Sequence, residues 1–408
     1  MGDHKADKLL NFSLLLFAAS CILSITAAEG ALVLMLLAIL WKAFTSPEGF
    51  AQPLRELHAN PLVFPLALYL VSYIFSSIFS LDQARSFSRL DTELIKAASA
   101  LLLFSAVARC GREKAAFWFL AGAAAAALLG VGQFAKGLLQ VSQGEQIRAH
   151  GTMIAVSYAE TMGIALALAG ALVSGSAGRL RKLYISLFFL VSLAFAATLS
   201  RGPALGLMLT ITLLFFIQKD SRKFMLGALA VLLLTFAASA SLNKVSRDRM
   251  TSAASFLSKD KSSAKLDTAA GKRLTMWKAG IDIFRDYPLT GTGPYGLRRV
   301  FNYYHHQPID GKIDYPDLHN LYLQRAADSG VPGLLALLLL FGVILKSTVS
   351  SFLKFRDPFS LWGLAGFAGF AVMMLTDSSF DLPRLAFCVY LMAIIAGPAG
   401  RQIEKPRA

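Results

Sequence analysis

Cysteine is scarce, at three in 408 residues, and charged side chains make up only 16 % of the chain. Cys21 and Cys388 fall inside apolar runs and Cys110 lies at the end of one, so no pair in an aqueous loop suggests a disulfide or a metal site. The low charge excludes a soluble domain, because too little water-facing charge is left to cover its surface. Also missing are Gly-x-Ser-x-Gly, the P-loop and His-Glu-x-x-His, and with them the chemistries those motifs carry. There is no internal repeat and no low-complexity linker.

What the chain has in quantity is apolar sequence: 55 % of residues are hydrophobic, with a mean hydropathy of +0.56. Apolar runs of 13 to 25 residues recur, most of them about long enough to cross ~30 Å of hydrocarbon. They read as Leu9–Ala28, Ala31–Phe44, Pro61–Ser80, Leu94–Ala108, Ala115–Phe134 and Thr152–Ser174, then Leu183–Leu199, Pro203–Ile217 and Phe224–Ala240, and finally Leu321–Leu345, Phe359–Thr376 and Leu385–Gly397. The expected fold is an all-α polytopic membrane protein of about twelve transmembrane helices. Residues 1–240 would hold helices 1–9, residues 241–320 a loop domain with short helices, and residues 321–408 helices 10–12 and a tail. Thr26-Ala27-Ala28 has the small residues of a cleavage site, but the second run begins straight after Glu29-Gly30. Two retained helices in a hairpin suit that spacing better than a leader.

Orientation follows from the short loops. Arg109, Arg112, Lys114, Arg179, Arg181, Lys182, Lys219, Arg222, Lys223, Lys346, Lys354 and Arg356 cluster on one side with the basic tail, which makes that side cytoplasmic and puts both termini there. The remaining positive charge lies largely in the long loop and suits an anionic substrate rather than nucleic acid. By parity Arg148, Arg201, His319 and Asp377 all face the opposite side.

Several motifs collect on that face. Asp317-Leu-His319-Asn320-Leu-Tyr322 closes the only long polar segment and enters an apolar run, setting an imidazole where water meets a helix. Ser200-Arg201-Gly202-Pro203 joins two spans through a minimal turn, and a guanidinium fixed at such a junction suits two-pronged contact with phosphate. In the long loop, Thr268 to Tyr287 has the pattern of an amphipathic helix stopped by Pro288, with Leu274, Trp277, Ile281 and Phe284 on one face. Arg273 lies one turn before Trp277 and borders that face. Gly291-Thr-Gly293-Pro-Tyr-Gly296 matches the dinucleotide fingerprint in letters only, since a helix and a proline precede it where a strand is required. Its glycines are expected to form a tight turn that brings Arg298 and Arg299 to the membrane. His305, His306, Asp310, Asp314 and Asp317 match no common ligand spacing, so no metal is expected. Arg148-Ala-His150-Gly151-Thr152 and Asp377-Ser-Ser-Phe-Asp381 add an arginine and carboxylates to the same face.

Together these residues resemble the O-antigen ligase family, whose superfamily also holds O-antigen polymerases and protein O-oligosaccharyltransferases. The resemblance rests on Ser200-Arg201-Gly202, Arg273 with Trp277, Pro288-Leu289, Gly291 with Gly293, His319-Asn320 with Tyr322, and Gly330-Val-Pro-Gly333-Leu334. Arg148-x-x-Gly151-Thr152 and Asp377 ahead of Pro383 also fit, so that it covers about residues 145 to 385. It implies a glycosyltransferase of C-type architecture in the bacterial inner membrane, with one large periplasmic loop and a site facing the periplasm. It implies transfer of a glycan from undecaprenyl pyrophosphate to lipid A–core or another acceptor, without cofactor or metal. On that reading Arg201 and Arg273 stabilise the leaving pyrophosphate, and each contact at ~4 Å is worth roughly 4 kcal/mol at an effective dielectric near 20. His319 takes the acceptor proton, while Arg148, Trp277, Asn320, Tyr322 and Asp377 bind or orient substrate. A transporter is the competing class; it calls for charged or broken helices and repeat symmetry, and the sequence displays neither.

Overall fold

The computed structural model describes residues 2–139, 148–241, 269–304 and 317–398, and among these every regular element is helical. A described helix lies on each of the twelve expected runs: Gly2–Ser20, Ile25–Thr45, Val63–Ile78, Leu90–Cys110, Arg112–Leu139, Ala155–Ser174, Gly178–Ala197, Arg201–Ile217, Arg222–Ser241, Leu321–Phe355, Pro358–Met373 and Pro383–Ala396. Five of them are long and apolar enough to cross a membrane, or up to seven candidate spans if each of two sharply bent helix pairs counts as one. The others fall short for visible reasons. Leu90–Cys110 carries Asp91, Glu93, Lys96 and Arg109, and Pro358–Met373 and Pro383–Ala396 are short.

The Ala155–Ser174 helix is the central post, with 94 % of its apolar window buried. Its alanines and glycines let neighbours approach closely, as small residues do in membrane bundles. Gly163 faces Met373, Gly170 faces Leu214, and the Trp362 indole donates to the Ile164 carbonyl at 3.0 Å. At one end of the bundle Arg109 grips Glu56 through two bonds of 2.9 and 2.8 Å, Arg112 pairs with Asp357 at 3.3 Å, and Gly175 abuts Pro358. The opposite ends of these helices meet at the polar loops taken up below.

Two expectations change here. The helices are neither free of charge nor unbroken: Glu93, Lys96, Glu160, Arg325 and Asp328 are all buried. Three of the five are neutralised locally, Lys96 and Glu93 by each other at 2.8 Å and Arg325 by Asp381. The Leu321–Phe355 helix is broken at Gly330, whose φ of +63° and ψ of −163° lie outside the helical region, two residues before Pro332. The carbonyls released by the break accept from the Gly-x-Gly turn, Ala327 from Thr292 N–H and Asp328 from Gly293 N–H, both at 2.9 Å, and Val331 N–H donates to Pro288 at 2.7 Å. Ser76 Oγ adds bonds of 2.7 Å to the Thr290 and Asp328 carbonyls. The glycines therefore serve the break, and Arg299, just after the turn, pairs with Asp82 at 3.1 Å.

A Cβ on Gly291 would lie 2.3 Å from the Asp328 carbonyl carbon at a φ of +63°. Gly291→Ala is expected to cost about 2 kcal/mol or more, from the left-handed backbone and the clash together. Thermal unfolding in detergent reads that loss, and an unchanged Tm would show that the turn can be released from the break.

Candidate functional site

The first wall of the site is the elbow between Gly178–Ala197 and Arg201–Ile217. Leu199 adopts φ +53°, a left-handed conformation that a branched side chain enters only where its surroundings fix it. What fixes it is Arg148, whose guanidinium donates to the Thr198 carbonyl at 2.6 Å and to Ser200 Oγ at 2.7 Å. Arg148 is itself held by its neighbours: Ala149 N–H donates to Ala197 at 2.9 Å, and Gln133 bonds Gly151 through both its amide atoms at 2.7 and 2.8 Å. Arg201 then opens its helix, exposed at the first turn, with Gly202 against the Thr376 hydroxyl.

His319 forms the second wall. Its φ is +49°, and its backbone N–H donates to Asp317 Oδ1 at 2.7 Å. Asn320 caps the Leu321–Phe355 helix by accepting from Leu323 N–H at 3.0 Å. Leu321 N–H reaches the Met374 and Asp377 carbonyls at 2.9 and 3.0 Å, which stitches the loop to the next connection. Tyr322 turns inward, its hydroxyl donating to Ala371 at 2.9 Å and its ring edge-on to Phe341.

The Asp377-Ser378-Ser379 connection is the third wall. Asp377 Oδ1 accepts from Ser378 N–H at 2.8 Å and Ser379 Oγ at 2.6 Å, and Ser378 Oγ donates to Asp317. Ser157 Oγ bonds Ser379 Oγ at 2.9 Å, tying the turn to the central helix. Burial pushes the Asp377 carboxyl above its ordinary range, Asp317 adding to the rise, while the Ser379 hydroxyl and His319 oppose it. Folding thus favours the protonated form, so this group's contribution is full at low pH and is lost as pH rises through the folded value. Asp377→Asn keeps both acceptor bonds and removes the charge. It is expected to raise Tm at pH 8, with the gain shrinking toward pH 4; a Tm that falls at pH 8 would contradict this account.

The Ala269–Asp286 helix packs over the site through a different edge from the one that carries Leu274 and Ile281. Leu274 and Ile281 point outward, while Met276, Ala279 and Ile283 pack with Leu297, Phe301, Leu318 and Ala327. The packed edge is rotated about half a turn because small residues there, Ala279 and Gly280, allow Leu318 and Leu323 to approach. Trp277 stays half-buried at the boundary and its indole donates to the Leu318 carbonyl at 2.9 Å. Arg273 is half-buried and lies within electrostatic reach of Glu160, as do Asp377 and Asp317.

Arg148, Arg201, Arg273, Trp277, His319, Asn320, Tyr322 and Asp377 thus gather at one end of the bundle. The polar groups of Arg148, Trp277, Asn320 and Tyr322 bond to protein atoms there, and Arg201 is exposed. Four further residues belong to the place and carry no local sequence signal: Glu160, fully buried on the central helix, and Gln324, Arg325 and Asp328 behind His319. Asp317, His319 and Asp377 bring donor atoms within 4.8 Å of one another, a set able to hold a divalent cation. Of the metal alternative weighed above, His305, His306, Asp310 and Asp314 lie outside the described residues.

Residues 186–338 match a family model described as O-antigen ligase. That segment holds Arg201, Arg273, Trp277, His319, Asn320 and Tyr322 and leaves Arg148 and Asp377 outside it. No curated protein matches the chain.

Proposed function

We propose that the chain, whose residues 186–338 match a family model described as O-antigen ligase, transfers O-antigen or a similar glycan from undecaprenyl pyrophosphate to lipid A–core. The enzyme is of the O-antigen ligase/polymerase type and multi-pass. Our reading puts it in the inner membrane with a C-type glycosyltransferase architecture, both termini cytoplasmic and the site toward the periplasm. The observation that supports it is the meeting of the Arg201 elbow, the His319 loop, the Asp377 turn and the Arg273 helix at one end of the bundle.

The acceptor hydroxyl attacks the anomeric carbon, with inversion, as the bond to the pyrophosphate oxygen breaks. Its proton passes to the His319 imidazole. Negative charge grows on the departing pyrophosphate, where Arg201 and Arg273 offer preorganised positive charge. Asp377 and Asp317 face the imidazole, where either can orient it or the acceptor. Trp277 holds the His319 loop through Leu318.

A transporter would offer the unsatisfied backbone of its broken helix to cargo. Here the Gly330 break is filled by the Pro288–Gly293 turn, which weighs against that reading.

The test is a reconstituted assay with a defined lipid-linked donor, offering lipid A–core, a second lipid-linked glycan and a protein acceptor in parallel. Transfer to lipid A–core, persisting in EDTA, is the expected result. Transfer only to the second glycan makes the enzyme a polymerase, and only to protein an oligosaccharyltransferase. Loss in EDTA with recovery on adding a divalent cation would put metal at Asp317, His319 and Asp377. No transfer in any arm overturns the proposal.

A further inference from the structure

His319 is held in a left-handed backbone conformation, and the bonds of the residues beside it fix it there. Its neighbour Leu318 is gripped on both backbone groups. The carbonyl accepts from the Trp277 indole at 2.9 Å, and the N–H donates to Gln324 Oε1 at 2.7 Å. Gln324 is buried, one turn and a half below on the same helix that Asn320 caps. An amide side chain can turn either end toward the loop, and only one end accepts. Gln324 Nε2 donates to Asp328 Oδ2 at 2.8 Å, which fixes the oxygen toward Leu318. Asp328 is buried one turn further on, and its backbone carbonyl is pinned by Ser76 Oγ and Gly293 N–H at the helix break. The chain of bonds therefore runs from the helix break, through Asp328 and Gln324, to the residue beside the imidazole.

We propose that Gln324, oriented by Asp328, is a positioning residue that sets the His319 imidazole for proton transfer, an inference that rests on the glycosyltransferase reading. Neither side chain touches the reactants. Arg201 and Arg273, on other elements, hold the diphosphate, so loosening the loop lowers kcat and leaves the donor KM almost unchanged. A displacement of about 1 Å at a reacting group is enough for a loss of ~100-fold.

The experiment uses the full chain in detergent or nanodiscs and three variants: Gln324→Glu, Asp328→Asn, and the two combined. Gln324→Glu sets two carboxylates face to face and is expected to cut kcat ~100-fold. Adding Asp328→Asn reverses the bond: the new glutamate accepts both from Leu318 N–H and from the asparagine amide, and kcat recovers most of the loss. Amide hydrogen exchange over residues 317–323, measured without substrate, should rise in Gln324→Glu and return toward wild type in the double variant. A general packing defect would not be repaired by a second polar change, nor spare the donor KM. Unchanged kcat in Gln324→Glu, no recovery in the double variant, or equal exchange in every variant overturns the inference. A wild-type enzyme that transfers nothing, with the exchange pattern as described, overturns the functional reading instead and leaves the loop mechanics standing.

Discussion

His319→Asn is expected to abolish glycan transfer while leaving insertion, protein level and Tm close to wild type. The bonds that shape the loop come from backbone groups: Leu318 on both sides, His319 N–H to Asp317, and Leu321 N–H to the Met374 and Asp377 carbonyls. The imidazole contributes none of them, and its Nδ1 is buried without a hydrogen-bond partner among the described residues. A side chain that shapes nothing, yet is held at a strained φ of +49°, is there for its chemistry. Asparagine is the replacement of choice because it tolerates the left-handed region where alanine pays for it. His319→Asn thus separates the ring from the fold, which His319→Ala does less cleanly. Loss of a general base costs typically 10²- to 10⁴-fold in rate, roughly the range to be read from initial rates with a lipid-linked donor. Transfer within about tenfold of wild type would fall outside that range and remove His319 from the mechanism.

The same residues show why part of the site could be read from sequence and part could not. Each of the twelve apolar runs carries a helix, because burial needs only local periodicity and length. The Arg201 and His319 elbows were equally legible, since each stands where an apolar run meets a polar stop. Gln324 and Asp328 were not: both lie inside a helix that reads as apolar, and their meaning depends on Leu318 and on the Gly330 break. Glu160 is hidden in the same way, its charged neighbours lying far along the chain at Asp317 and Asp377 and across the site at Arg273. The Ala269–Asp286 helix is a different case. Its amphipathic pattern was legible, but the edge that packs on protein was not: Leu274 and Ile281 point outward and smaller Ala279 and Gly280 make the close contact. Around a membrane the largest apolar side chains gain as much facing lipid as facing protein, so size does not choose between them. The Gly-x-Gly turn was recognised as a turn, whereas its task, completing a broken helix, required the partner to be seen.

Lysine in place of Arg201 or Arg273 is expected to lower kcat by roughly 10²- to 10³-fold, although each variant keeps the positive charge. If charge alone were needed, lysine would serve nearly as well. The geometry around Arg201 argues otherwise. Arg148 spends two donors on the Thr198 carbonyl and Ser200 Oγ, and Leu199 bears a left-handed φ, all to fix the direction in which the first residue of the next helix leaves the elbow. Gly202 closes against Thr376, beside Asp377, so the guanidinium root lies against the turn that faces His319. Direction matters for a planar fork that must meet two phosphate oxygens at once, and hardly at all for a flexible ammonium. Arg148→Lys is expected to act through the elbow and to cost less, because the Ala149 N–H bond to Ala197 and the Gln133 bonds to Gly151 remain. The measurement is kcat and donor KM for all three lysine variants at matched protein levels. Arg201→Lys and Arg273→Lys at wild-type kcat would show that the two guanidinium groups support the structure and do not carry the charge of the leaving group.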